Sequence, residues 1–277
     1  MKSIAIALIS AFILASCGEQ KPAETTETTV TPAPMAIIEQ TVTYTSDTTN
    51  LIGFVAYDSS DTVKRPVILV VPEWWGVNDY TKSRVRQLAE LGYFAIAVDV
   101  YGNGKIAANP QEAMALAGPF YQNPKLAQSR LNAALAKALT YAQADSSKTA
   151  AIGYCFGGSM VLNAAKLGSN LGGVVSFHGG LEGVQPDKKL LRAKVLVCHG
   201  NADSFVPEAQ VSGFKKQMDS INADYKIIRY DSATHAFTNP AADETAKKFS
   251  MPIAYNAAAD KKSWEDMKVF LESVFRR

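Results

Sequence analysis

The sequence predicts an α/β protein with a doubly wound, mostly parallel sheet of about eight strands and helices on both faces. Two observations carry this expectation. Strand-length apolar runs alternate with helix-length runs from residue 41 to residue 275, which is the pattern of stacked βαβ units with right-handed crossovers. The residues best suited to chemistry also fall just past the ends of strand-like runs, where open α/β sheets place their sites.

Taken in order, residues 41–45 and 51–57 alternate apolar and polar, as a half-exposed antiparallel hairpin should. Residues 67–71, 94–98, 149–154, 173–177, 194–198 and 225–230 are continuous apolar runs, expected of parallel strands covered on both faces. Helical runs lie at 80–91, 111–121, 125–144, 158–167, 208–221 and 257–275. Asn78 or Asp79 can cap the first of these, and Pro207 suits the first turn of the helix that follows it.

The N-terminal region reads differently. Met1-Lys2-Ser3 is a short basic start, followed by an apolar stretch over residues 4–14 and then Leu14-Ala15-Ser16-Cys17. That run is too short to span a bilayer and has the small-residue end of a secretory signal. It resembles a bacterial lipobox, which implies a signal peptide over residues 1–16 and lipidation at Cys17. Residues 17–36 are rich in Thr, Glu, Pro and Ala, a composition that suits a flexible tether. The expected product is a folded domain over residues 37–277, held to the bacterial cell envelope only by its lipid and facing the periplasm or the cell exterior.

Composition narrows the function classes. A length of 277 residues supports one large α/β domain beyond the tether, and the net charge of +2 is close to neutral. No basic stripe or aromatic RNA-reading motif points to nucleic acid. No phosphate-cradling glycine loop appears, and His178, His199 and His235 lack metal-ligand spacing. Neither a metal nor a cofactor is expected. His178, at the end of a strand-like run, reads as a hydrogen-bonded structural histidine, and His199 as a shaper of the turn that follows it. With Cys17 assigned to lipid, Cys155 and Cys198 remain; Cys198 lies in an apolar strand and reads as core.

The chemistry centres on Gly153-Tyr154-Cys155-Phe156-Gly157-Gly158, set between an apolar strand and a helix-like run. This is the context of a nucleophile elbow, with Cys where Ser is usual. Gly153 and Gly157 let strand and helix approach around a strained turn. A thiol at a helix N-terminus also gains thiolate character from the helix dipole. Asp203 and His235 follow two later strands, 48 residues (155 to 203) and then 32 residues (203 to 235) downstream. A triad needs this division of labour: His235 takes the thiol proton, and Asp203 fixes the imidazole tautomer.

At these positions the chain resembles the dienelactone hydrolase family, over about residues 51–275. The resemblance rests on Pro72-Glu73-Trp74-Trp75-Gly76-Val77-Asn78, the Cys155 elbow, His199-Gly200 through Asp203, and His235-Ala236-Phe237. It implies an α/β-hydrolase fold and a Cys155–His235–Asp203 triad. Glu73 matches the family glutamate that lies beside the resting thiol, and the backbone N–H groups of Trp74 and Phe156 would form the oxyanion hole. The implied activity is hydrolysis of an ester or lactone through an acyl-cysteine intermediate. One departure stands out. Family members that cleave dienelactone hold the substrate carboxylate with arginines, one of them shortly after the histidine; here no Arg or Lys follows His235 until Lys247. Lys105 and Arg130 are the remaining cations to weigh, and Arg130 reads as a solvated helix charge.

Trp75, Tyr101, Phe205 and Phe237 are the expected pocket residues, with Tyr121 close by, because paired tryptophans and aromatic loop residues suit an apolar wall. Two other readings stay open at this point. One is a ligand-binding lipoprotein that keeps the fold without turnover; the other is a peptidase or acyltransferase. The sequence is silent on oligomeric state.

Overall fold

The computed structural model describes residues 34–276. The signal segment, Cys17 and most of the tether lie outside the described residues. The chain runs β1 (Ile37–Ser46), β2 (Thr49–Asp58), β3 (Arg65–Val71), α1 (Asp79–Glu90), β4 (Phe94–Ala97), α2 (Pro110–Gln122), α3 (Pro124–Ala138), β5 (Ala144–Tyr154), α4 (Phe156–Lys166), β6 (Gly173–Phe177), β7 (Lys194–Gly200), α5 (Glu208–Ser220), β8 (Tyr225–Tyr230), α6 (Ala242–Phe249) and α7 (Ala257–Phe275). The eight strands form one sheet in the order β1-β2-β4-β3-β5-β6-β7-β8. β1 pairs antiparallel with β2, and β2 antiparallel with β4. Every later pairing is parallel.

The continuous apolar runs of β3 to β7 are largely buried on both faces, as parallel strands require, but β8, expected to be covered likewise, is a half-exposed edge strand with only Tyr230 buried. One cluster on one side of the sheet joins β3, β4 and β5 to α2, α3 and α4. Another, containing Ile68, Ala95, Ile152 and Leu196, packs against α1 and α7. Helix α4 is buried along its whole length, because it covers the centre of the sheet beneath neighbouring helices.

Several expectations need correction. β2 is not half-exposed: Phe54 to Asp58 are all buried, since β2 lies between β1 and β4 with α1 packed over it. Of the hairpin pair, β1 is the mostly exposed edge strand, with Val42 and Ser46 buried. The helix expected over 125–144 ends at Ala138. Its last residues are instead turn and strand, and Ala144 already pairs with Arg65 of β3. α6 was not anticipated, because Ala242–Phe249 is short and mostly polar, with only Ala242, Ala246 and Phe249 apolar; acids in its first turn and lysines in its last suit the helix dipole. Pro207 sits at the cap of α5, one residue outside its first turn. Asn78 does cap α1, accepting the Thr81 N–H at 3.1 Å. Arg130 is not solvated. It is buried in α3, and its guanidinium donates to Ser46 O at 2.8 Å and Thr49 Oγ1 at 3.0 Å, tying the helix to the β1–β2 hairpin.

Candidate active site

Cys155 occupies the single residue between β5 and α4, with φ 52° and ψ −116°. A positive φ is costly for an L-residue and needs surrounding structure to enforce it. The enforcement is close packing. A Cβ on Gly153 would lie 2.1 Å from Gly157 O, and one on Gly157 would lie 2.2 Å from Val71 O. The Cys155 N–H donates to Phe177 O at 3.0 Å and to His178 Nδ1 at 3.1 Å. The half-buried thiol faces a cavity. Cys198, the other free thiol of the described residues, is fully buried in β7, and burial pushes it up to about 12.

The acid and the histidine come from adjacent turns laced together at the C-terminal ends of β7 and β8. Ala202 N–H donates to Ala233 O at 2.9 Å, and a Cβ on Gly200 would lie 2.4 Å from the same oxygen. Asp203 Oδ2 lies 2.8 Å from His235 Nδ1, while Oδ1 accepts the N–H groups of Phe205 at 2.9 Å and Val206 at 3.2 Å. The carboxylate is therefore held from both sides, and its tautomeric effect on the imidazole is fixed. Burial alone would lower the His235 pKa. Its neighbours Cys155 and Asp203 outweigh that effect and raise it to about 10. His235, bound to Asp203 through Nδ1, lines the same cavity as Cys155.

Glu73 is buried at the end of β3 and lines the same cavity as Cys155. Burial raises it to about 7, against opposing contributions from the Asn239 hydrogen bond, His235 and Arg84. What holds the carboxylate differs from the expected contact with the resting thiol: Asn239 Nδ2 donates to Glu73 Oε2 at 2.7 Å. Asn239 escaped notice in the sequence because Asn-Pro reads as turn chemistry. Its side-chain oxygen does serve that turn, accepting the Ala241 N–H at 3.0 Å.

The cavity has a volume of about 230 Å³. Trp74, Trp75, Met114, Tyr121, Phe205, Val206, Ala236, Met251 and Ile253 form its largely apolar wall around Glu73, Cys155 and His235, and no Lys or Arg side chain is among them. Trp74 and Trp75 meet edge to face at 5.3 Å, and Trp75 stacks on Phe249 of α6 at 5.9 Å. Two expected wall residues lie elsewhere. Tyr101 stands behind the wall, its hydroxyl donating to Trp74 O at 2.9 Å and its ring packing on Phe120 and Phe156. Phe237 is fully buried between His178 and Tyr230. Met114, Val206, Met251 and Ile253 were missed, because isolated apolar residues carry no signal of which cavity they will face. Phe156 opens α4 directly after Cys155, and Trp74 follows Glu73. Neither backbone N–H donates to a protein acceptor among the described residues. His199 is buried at the end of β7, opposite Arg229. No group of three His, Cys, Asp or Glu side chains among the described residues is placed to hold a metal ion.

Comparison with known proteins agrees with this architecture. The model of the dienelactone hydrolase family matches residues 52–275. The crystal structure of a dienelactone hydrolase-like promiscuous phosphotriesterase from metagenomic libraries is 32% identical, with a TM-score of 0.81, over 86% of this chain and 99% of that one. The structure titled m3DLH is also 32% identical, with a TM-score of 0.82, over 87% and 99%. A Methylorubrum extorquens protein, provisionally named as a carboxymethylenebutenolidase, is 30% identical over 184 residues, covering 62% of this chain and 63% of its own length. The matched span runs from the body of β2 to the end of α7 and takes in every residue around the imidazole, so the chain belongs to the dienelactone hydrolase family and is a carboxylic ester hydrolase.

Proposed function

We propose that the enzyme hydrolyses an uncharged carboxylic ester or lactone with an apolar acyl group, through an acyl-Cys155 intermediate. One observation carries this reading. A cysteine on an enforced strand–helix turn and an imidazole bound to a fully buried aspartate line one cavity, walled by aromatic and aliphatic side chains and free of Lys and Arg. A carboxylate-bearing substrate would have to bury its charge there without a cationic partner, and an unpaired buried charge is strongly disfavoured.

In the proposed cycle the thiol proton passes to His235 and Sγ attacks the carbonyl carbon. The developing oxyanion accepts hydrogen bonds from the Phe156 and Trp74 N–H groups, both free of protein acceptors. The Tyr101 hydroxyl, bound to Trp74 O, steadies the second donor. Imidazolium, held by Asp203, protonates the departing alkoxide. Water deprotonated by His235 then releases the acid and restores the thiol. No step requires a metal or cofactor.

The test is pre-steady-state hydrolysis of p-nitrophenyl esters and small lactones by the purified chain under reducing conditions. Phosphotriesters belong in the panel, because the metagenomic relative is named for them. A burst of about one product equivalent, absent in Cys155→Ala, is the expected result. Turnover surviving in Cys155→Ala would exclude the acyl-cysteine route; ligand retention without any turnover would favour a binding protein. We further propose that Cys17 carries a lipid that anchors the enzyme in the cell envelope. Incorporation of a labelled fatty acid, lost in Cys17→Ala, tests it.

A further inference from the structure

Behind the nucleophile lies a second imidazole for which the proposed cycle has no use. His178 directly follows β6 and is buried, with φ 41°. It does not line the cavity. Its Nδ1 accepts the Cys155 N–H at 3.1 Å, and its Nε2 lies 2.8 Å from Thr238 Oγ1. Because Nδ1 accepts a backbone N–H, a neutral ring must carry its proton on Nε2 and donate it to Thr238. Burial, together with the charges of His235 and Arg84, holds the ring well below the usual imidazole range, in keeping with that neutral form.

Thr238 is three residues after His235 and one before Asn239, so it belongs to the loop that supplies both the imidazole and the holder of Glu73. That loop is itself anchored from below. Thr238 Oγ1 lies 2.6 Å from the Tyr80 hydroxyl, and Arg84 Nη2 donates to Thr238 O at 2.6 Å while pairing with Asp260 at 2.5 Å.

We propose that His178 is a positioning residue: a neutral, single-tautomer staple that joins the Cys155 turn to the His235 loop and sets the thiol–imidazole geometry. The proposal rests on the acyl-cysteine reading above. One end of the ring helps to hold the backbone of a residue in a strained conformation; the other holds the loop that carries its base. Small displacements between two such groups cost rate without weakening substrate binding, because the wall that touches substrate is built from other residues.

The Nε2 bond can be cut while an acceptor for the Cys155 N–H is kept. His178→Asn keeps an acceptor near the Nδ1 position, tolerates the positive φ, and loses Thr238. Thr238→Val cuts the same bond from the other side. Each is expected to lower kcat by about tenfold with KM within about twofold, and to slow alkylation of Cys155 by iodoacetamide to a similar extent. The double variant should be no worse than Thr238→Val alone, because the bond that His178→Asn removes is one of the two, to His178 and to Tyr80, that Thr238→Val already removes. His178→Phe, losing both ends, should fall by about a hundredfold. If it fails to fold, the Asn and Val cycle decides alone. Unchanged kcat in Thr238→Val, or additive losses in the double variant, would overturn the staple. Cys155→Ala run alongside separates the two ideas. If it is inactive while the staple variants are unimpaired, only the staple falls; if it is fully active, the acyl-cysteine reading falls first.

Discussion

The turn that carries Cys155 and the wall that faces it are built on opposite principles. The turn is compact: six consecutive residues, Gly153 to Gly158, form it, and it has no room for a Cβ on Gly153, which would lie 2.1 Å from Gly157 O, or on Gly157, which would lie 2.2 Å from Val71 O. The wall is assembled from α2, the loop after Asp203, the tryptophan pair after β3 and the Met251–Ile253 segment, which are distant in sequence. The first region cannot vary without breaking. The second can change its shape one side chain at a time, so chemistry and substrate choice reside in parts of the molecule with different tolerance.

The largest expected effect lies on the chemical side. Asp203→Asn preserves shape but offers the imidazole the wrong hydrogen-bond partner, and kcat should fall by about 10³–10⁴-fold with little change in Tm. A loss under tenfold would mean that the aspartate is structural. Gly157→Ala tests the rigidity of the turn. Its Cβ would collide with the backbone carbonyls of Val71 and Pro72, so a loss of about 4 kcal/mol or more, or failure to fold, is expected in thermal unfolding. Normal stability there would dissolve the contrast between the two regions.

Glu73 lies between the two regions and yields a pH effect. Its folded pKa of about 7 exceeds the ordinary 4.5, so between these values the folded state binds more protons than the unfolded one. Stability must then fall as pH rises from 4.5 to 7 and level off above. Glu73→Gln, which can still accept from Asn239, should match the wild type near pH 4 and exceed it by about 3 kcal/mol at pH 8. Unfolding curves at the two pH values check this, and an equal difference at both would refute the linkage. The smallest effect belongs to the wall. Met251→Ala should shift relative kcat/KM between short and long acyl esters by about tenfold, consistent with a few methylenes of apolar contact, without touching the burst. No change in chain-length preference would place the acyl group elsewhere.

The sequence alone carries a good deal of this. Continuous apolar runs name the parallel strands, and strand ends mark Cys155, Asp203, His235 and Glu73, because βα connectivity places all such ends on one edge of the sheet. The elbow is legible because its small residues stand in one short run, although part of the crowding that requires them comes from Val71 and Pro72. Other features could be settled only by the tertiary structure. Arg130 looked like a surface charge until the β1–β2 hairpin brought its carbonyl and hydroxyl acceptors. Tyr101 and Phe237 sit on site loops yet turn away from the cavity, while Met114 and Met251 turn into it. Asn239 became the partner of Glu73 across 166 positions of chain, and His178 the link between two loops. Periodicity and local sterics report on a residue and its chain neighbours. Which side chain meets which across the sheet edge depends on packing among all the elements at once, and that information exists only in the folded molecule.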